Sequence, residues 1–214
     1  MPSVIEKLLG DCIDFENDIN KILRRSKVIA KGLNLLEFEK WISKELNGYD
    51  VKDDIPKYRI VKGNIKALLC NGMIPVNLAD EFMEVANSRK IFQSTSEIEE
   101  LIKTNKDSLL VPFVGNANEA MCNLTNTNAQ FYLEVHKSQF KNIIDQVVNT
   151  ILEWAMKFNE DGIKGDGFSF TEEEILWAGE IAKKKNPLSM VFNGNIDTLQ
   201  IQNENINSHQ STRK

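Results

Sequence analysis

A short stretch near the end of the first quarter of the chain holds five side chains that could bind a ligand. They are Glu45, Asn47, Tyr49, Tyr58 and Arg59. Tyrosine rings can stack on a nucleobase, and an arginine beside them can meet a phosphate. The group therefore predicts a candidate pocket for a nucleotide.

The same stretch has a structural interpretation that needs no ligand. Glu45 lies three and four residues after Ile42 and Trp41, at the border of an apolar helix stripe. A carboxylate in that position needs a cationic partner. The fork of Arg59 could hold it with two parallel bonds and join the helix to the following strand.

A second candidate polar surface lies on a predicted strand, "AQFYLEVHK". Its residues alternate, so Phe131 and Leu133 face inward while Tyr132, Glu134 and His136 face outward. If the fold brought Glu134 and His136 to Glu45 and Arg59, the four could serve a nuclease or a nucleotide hydrolase. A solvated sheet face is the simpler interpretation.

Motifs of the common enzyme classes are missing from the sequence. There is no phosphate-binding loop, no nucleophile elbow and no cysteine or histidine spacing for a metal. The loop at 162–173 resembles a calcium loop only in part, because Gly162 and Lys164 stand where carboxylates are needed. We therefore expect no cofactor, no metal and no catalytic set, and we favour a non-enzymatic role.

Charge and cysteine usage limit the partners and the compartment. The net charge is -5 and the pI is near 5.2, so general binding of nucleic acids is disfavoured. Cys12, Cys70 and Cys122 are widely spaced, and we expect them to be reduced and mostly buried. The acidic residues in "MPSVIEKLLGDCIDFEND" argue against a secretion signal, and no apolar run is long enough to span a membrane. We expect a cytoplasmic protein.

Helical periodicity and strand alternation together predict an α+β fold. An N-terminal helical hairpin is expected from one helix at about 12–32 and another at 35–46. Strands are predicted at 58–63, 108–114 and 129–136, and they would form a small sheet. A short helix at 77–90 lies between them, and long C-terminal helices follow. The strand at 108–114 contains Pro112, which favours an edge position.

Capping-box spacing predicts where several helices start. In such a box, two side chains three residues apart satisfy free backbone N–H groups at the first turn. The pairs with this spacing are Asn34 with Glu37, Ser94 with Glu97, and Thr171 with Glu174.

The C-terminal segment differs in composition from the rest of the chain. We expect one α+β domain over residues 1–187 and an Asn- and Gln-rich tail over 188–214, with a short strand before a partly disordered end. Amides in the tail could form strand ladders. Three of its few aliphatic side chains, Ile196, Leu199 and Ile201, could anchor it in a groove of a neighbouring molecule.

Residues 38–63 resemble the N-terminal signature of the AbiTii domain of bacterial abortive-infection proteins. The matching positions are Phe38, Trp41, Glu45, Leu46, Asn47, Gly48, Tyr49, Pro56, Tyr58, Arg59 and Gly63. The long apolar helix "SQFKNIIDQVVNTILEWAMKF" also fits, so the resemblance covers about residues 15–160. It implies a role in bacterial defence against phage, and it implies no catalytic residues.

Three functions of different classes follow from these observations. The first is a defence protein that acts by self-association, as a homo-oligomer, or by binding an operon-encoded protein partner. The second is a sensor of a nucleotide or phage trigger near Tyr49, Tyr58 and Arg59. The third is an effector enzyme that uses Glu45, Arg59, Glu134 and His136.

Overall fold

The computed structural model describes residues 2–14 and 18–184 of the chain. The helices in chain order are α1 (Val4–Ile13), α2 (Ile19–Gly32), α3 (Leu36–Asn47), α4 (Asp80–Ala86), α5 (Thr95–Ile102), α6 (Asn116–Thr125), α7 (Lys137–Glu160) and α8 (Glu172–Lys184). The strands are β1 (Ile60–Lys62), β2 (Asn64–Leu69), β3 (Gly72–Pro75), β4 (Ser88–Lys90), β5 (Ser108–Pro112) and β6 (Gln130–His136). The α+β class is confirmed.

Two compact units make up the chain. The first comprises Met1–Ile42 with Asn149–Lys214, and the second comprises Ser43–Val148. The boundaries between the units fall within α3 and α7. The predicted tail, with Ile196, Leu199 and Ile201, lies outside the described residues.

The first unit is helical and has a core of stacked aromatic rings. Phe38 stacks on Trp41 and on Trp154, with ring centroids 5.4 and 4.5 Å apart, and Trp154 meets the edge of Phe158 at 5.0 Å. The periodic apolar residues of α7 supply two of these rings, because positions four apart lie on one face of a helix. All four side chains are buried.

The prediction of a single helix over 12–32 is wrong. The N-terminal hairpin consists of α1 and α2, and Arg25 of α2 donates hydrogen bonds to Asp11 and to the carbonyl of Lys7. A new helix begins at Ile19 because the Asp18 carboxylate accepts the backbone N–H of Asn20 at 2.8 Å. Spacing of apolar residues alone does not reveal such a cap.

The second unit contains both sheets. β3, β2, β6 and β5 form a four-stranded antiparallel sheet in that order, and β1 pairs with β4. The alternating strand is confirmed, since Phe131, Leu133 and Val135 of β6 are buried. The edge position predicted from Pro112 is confirmed as well, because β5 is an outer strand.

Several other predictions in this unit need correction. The strand expected from residue 58 begins only at Ile60, after a turn of 3-10 helix at Lys57–Arg59. The helix expected at 77–90 is limited to α4, and its end is replaced by β4.

Gly63 follows β1, where an added Cβ would collide with the Glu134 carbonyl oxygen. Close contact between strands β1 and β6 therefore requires glycine there.

The three cysteines are free thiols. Cys12 is buried, and burial raises the pKa of its thiol to about 12. Cys122 is half-buried. The expectation of mostly buried cysteines is wrong for Cys70, which is exposed in the turn between β2 and β3.

Candidate functional site

The five predicted binding residues lie where α3 ends and the chain turns back. Gly48 ends the helix with φ +91, and its N–H bonds the carbonyl of Lys44 at 2.8 Å. Its Cα lies so close to the backbone that an added Cβ would be 2.9 Å from the Phe92 carbonyl oxygen. This left-handed turn directs Tyr49 back toward Glu45.

Arg59 and Glu45 form a fully buried ion pair. Nε of Arg59 donates to Oε1 of Glu45 at 3.1 Å, and Nη2 donates to Oε2 at 2.5 Å. Nη1 donates to the carbonyls of Ile91 and Gln93 at 3.2 and 2.7 Å. The predicted two-bond geometry is confirmed, and the guanidinium nitrogens donate their hydrogen bonds to acceptors within the protein.

Two tyrosine hydroxyls complete the shell around the carboxylate. Tyr49 and Tyr58 each donate to Oε1 of Glu45 at 2.7 Å. The guanidinium of Arg59 lies 4.7 Å from the centre of the Tyr49 ring. Burial first, and then the Glu45 carboxylate, raise the pKa of Tyr49 far above its ordinary range. Burial alone would lower the pKa of Arg59, but the bonds to Glu45 outweigh it and raise the pKa.

This cluster joins four segments of the second unit. It links the end of α3, the turn before β1, the backbone at 91–93, and the start of α5, where Thr95 Oγ1 donates to the Glu45 carbonyl at 3.1 Å. Each charge has an opposite charge and further hydrogen bonds, which is the condition under which a buried ion pair is tolerated. The hydrogen bonds and the ion pair of this cluster therefore hold the four backbone segments together.

The remaining predicted residue, Asn47, lies outside the cluster. It is exposed, and its Nδ2 donates to the Ser43 carbonyl at 2.8 Å. A surface depression of about 440 Å³ lies beside it, lined by Asn47, Gly48, Tyr49, Asp50, Phe92, Gln93 and Glu97. The Ser94 backbone N–H lowers the pKa of Glu97, so this carboxylate is ionised near neutral pH. The lining is therefore acidic.

The polar face of β6 forms as predicted but stays separate from the buried cluster. Glu134 pairs with Lys66 of the neighbouring strand at 2.9 Å. The exposed His136 shares a hydrogen bond with Ser138 at 2.8 Å. Glu45 and Arg59 are fully enclosed, whereas Glu134 and His136 face outward. The four residues proposed for catalysis do not form one polar network.

An apolar groove in the second unit was not predicted. It measures about 450 Å³ and lies between strands β2, β3 and β6 and helices α4 and α6. Ile74, Phe82 and Leu124 line it and remain 44, 43 and 46% exposed. The polar side chains in its wall are Asn77, Thr125 and Thr127. No local pattern in the sequence pointed to this groove.

The loop before α8 contains a turn. Asp166 and Ser169 exchange backbone hydrogen bonds at 2.9 and 3.0 Å. Glu174 accepts the backbone N–H groups of Lys164, Gly165 and Thr171 at 2.9, 3.0 and 2.8 Å. Within residues 2–14 and 18–184, no three acidic, cysteine or histidine side chains converge on a metal position.

A family model for AbiTii matches residues 3–176 of the chain. The chain belongs to the AbiTii family. This membership supports a role in bacterial abortive infection and phage defence. Glu45, Tyr49, Tyr58 and Arg59 of the AbiTii signature meet in the buried cluster described above.

Other comparisons add no relatives to the AbiTii assignment. Neither the curated proteins nor the solved structures contain a match. Among the described helices of this AbiTii protein, none has the length and hydrophobicity required to cross a bilayer.

Proposed function

We propose that this AbiTii protein acts in abortive infection by self-association, without catalysis. The observation that carries the proposal is the apolar groove, where Ile74, Phe82 and Leu124 remain nearly half exposed. Exposed apolar surface in a concave site favours association, since covering it removes apolar area from water. The charged residues of the family signature, Glu45 and Arg59, form a buried ion pair and so are not part of an exposed binding surface.

The occupant we propose for the groove is the aliphatic part of the tail of a second copy. Leu199 and Ile201 are two residues apart, so an extended backbone presents both on one face. About fifteen residues of extended chain after Lys184 would reach roughly 50 Å, which is enough to cross to a neighbour. Amides in the tail could bond Asn77, Thr125 and Thr127 of the groove wall.

Light scattering on the purified full chain tests this function. We expect a mass above the 24.4 kDa of one chain at tens of micromolar. Truncation to 1–187 should lower that mass, and Phe82→Asp should do the same because it places a charge in the groove. Val85→Asp is the matched control, since Val85 is on the same helix and 76% exposed but does not line the groove.

Three outcomes would contradict parts of the proposal. A full chain that is monomeric at every concentration excludes self-association. A truncated chain that keeps the full mass excludes the tail as the contact. An equal effect of Phe82→Asp and Val85→Asp would show that the groove is not involved.

A sensor function is the second candidate, and the depression beside Asn47 and Tyr49 favours it. Asp50 and Glu97 make this surface acidic, and Arg59 is bonded to Glu45 and to backbone carbonyls. The depression therefore suits a cationic or hydrogen-bond-donating trigger better than a phosphate. Thermal melting with spermidine and with ATP separates the two: stabilisation by spermidine alone supports this version, and stabilisation by ATP alone contradicts it.

A further inference from the structure

Every charged residue of helix α2 is positive. The helix contains five cationic residues, Lys21, Arg24, Arg25, Lys27 and Lys31. Among the helices that the structure describes, α2 alone contains no aspartate or glutamate. Its buried residues lie on one side, so the helix packs that side into the first unit and turns most of its cations toward solvent.

Helical spacing places four of these cations on one face. Lys21, Arg24 and Lys31 recur at steps of three and seven residues. The half-buried Lys27 lies beside them, and together the four form the basic row. Arg24 and Lys31 are exposed, and the side chain of Lys21 is 51% exposed. Each residue advances a helix by about 1.5 Å, so the row is about 15 Å long and creates a local positive field.

The order of these charges destabilises α2 as a helix. Like charges three or four residues apart repel each other, and the pair Lys27 with Lys31 has this spacing. The helix dipole favours cations in the last turn, which accounts for Lys31. The same dipole disfavours Lys21 in the first turn, which contains no acidic residue. Helix stability therefore does not explain the row.

Contacts within the protein neutralise little of this charge. Asp11 of α1 forms ion pairs with Lys21, at 3.3 Å, and with Arg25. Within residues 2–14 and 18–184, no carboxylate forms an ion pair with Arg24, Lys27 or Lys31. A local pattern that costs stability without a gain in the fold is expected at a functional site. The charge of the row therefore indicates an anionic partner.

Double-stranded nucleic acid is the polyanion that fits this row best. Each strand of a duplex carries a phosphate about every 3.4 Å along the axis, so a straight row of about 15 Å meets about four phosphates. Single-strand binders stack bases on aromatic rings, and α2 contains none. Membrane-surface helices lay an apolar side into the bilayer, whereas the apolar side of α2 is buried in the protein and leaves only Val28 exposed.

We propose that the basic row of α2 binds the phosphate backbone of double-stranded nucleic acid without reading its sequence. Phosphate contacts position a protein on a duplex but carry no sequence information. The net charge of -5 disfavours such binding over the surface as a whole, and α2 is a local exception. The row lies in the first unit and the groove in the second, and this binding does not depend on self-association.

Fluorescence anisotropy of the full chain with a labelled DNA duplex of about 20 base pairs tests this site. Contacts from Arg24, Lys27 and Lys31 predict weak binding that tightens as salt is lowered, with a slope of log K against log salt of about -3. Arg24→Gln combined with Lys31→Gln should reduce that slope to about -1 and weaken binding at least about tenfold at about 20 mM salt. Lys103→Gln combined with Lys183→Gln is the matched control, since it removes two exposed cations from other helices.

The Arg24→Gln, Lys31→Gln variant should fold normally. Glutamine is a good helix former, and removing two cations relieves the repulsion between like charges in α2. Its melting temperature should therefore not fall below that of the control, which separates loss of binding from loss of structure.

Two results would overturn the proposal. One is that the unchanged chain shows no salt-dependent binding to the duplex at about 20 mM salt. The other is that the Arg24→Gln, Lys31→Gln variant binds the duplex as tightly as the control. Binding to vesicles of phosphatidylserine and phosphatidylcholine in place of the duplex would assign the row to a membrane surface instead.

Discussion

At the scale of single residues, Glu45 is a carboxylate that could take part in catalysis but instead stabilises the fold. Its carboxylate accepts bonds from Arg59, Tyr49 and Tyr58 in a site closed to solvent. A buried charge is costly unless it is paired and fully hydrogen-bonded, so these partners act as a unit. Changing one of them affects the others.

Replacement of Glu45 is therefore expected to damage stability. Glu45→Ala leaves the Arg59 charge buried and two tyrosine hydroxyls without their acceptor, which should lower the free energy of unfolding by about 3–5 kcal/mol. Tyr58→Phe removes one hydroxyl and should cost about 1 kcal/mol. Urea denaturation followed by circular dichroism measures both values.

Asn47→Ala provides the control for this series, because Asn47 is exposed and lies outside the cluster. Its effect should stay within about 0.5 kcal/mol. An unfolding midpoint for Glu45→Ala equal to that of Asn47→Ala would show that the ion pair does not hold the second unit together.

At the scale of elements, several helix starts are set by side chains that accept hydrogen bonds from free backbone N–H groups. The predicted pairs Ser94 with Glu97 and Thr171 with Glu174 both form these bonds. The predicted pair of Asn34 with Glu37 is wrong, because Asn34 has φ +55 and α3 begins only at Leu36. The same spacing can thus mark a helix end instead of a helix start.

Glu174 should make stability depend on pH. Burial raises the pKa of its carboxyl, but the N–H groups of Gly165, Thr171 and Lys164 outweigh burial and lower the pKa below its ordinary value of 4.5. A lowered folded-state pKa contributes stability above the unfolded-state value and loses it as the pH falls through the folded-state value. Glu174→Gln should therefore destabilise the protein most at neutral pH, by about 1–2 kcal/mol.

The comparison of unfolding free energies between neutral and acidic pH checks this expectation. The gap between the unchanged chain and Glu174→Gln should shrink as the pH falls below 4.5. Glu172→Gln, at an exposed position of the same turn, should show little change at any pH. A constant gap over the whole range would mean that Glu174 acts through packing and not through its charge.

At the scale of the whole molecule, defence should follow association and not the buried cluster alone. In bacteria that express the full chain and are challenged with phage, we expect protection to be lost on truncation to 1–187 and in Phe82→Asp. Val85→Asp should still protect. Glu45→Ala should lose protection together with its soluble protein, because it impairs folding.

Plaque counts with immunoblots of soluble protein distinguish these cases. Phe82→Asp should be present at the level of Val85→Asp while failing to protect. Protection by the 1–187 chain at normal protein levels would contradict self-association through the tail as the basis of defence.

Much of the fold follows from local patterns in the sequence. Alternation identified β6, periodicity identified α7, and Pro112 indicated an edge strand. The strands β2, β3 and β4 were missed, since short strands carry few residues and their pairing is decided by distant partners. The division of α1 from α2 was missed because apolar spacing continues across both.

The sequence by itself determined the family, the α+β class and the pairing of Glu45 with Arg59, because these depend on residue type and on spacing along one short stretch. Only the tertiary structure decided that this pair is closed to ligands and that Glu134 and His136 lie elsewhere. It also decided that Phe82 and Trp177 remain exposed. Burial depends on which distant segments cover a side chain, and a local pattern contains no information about that cover.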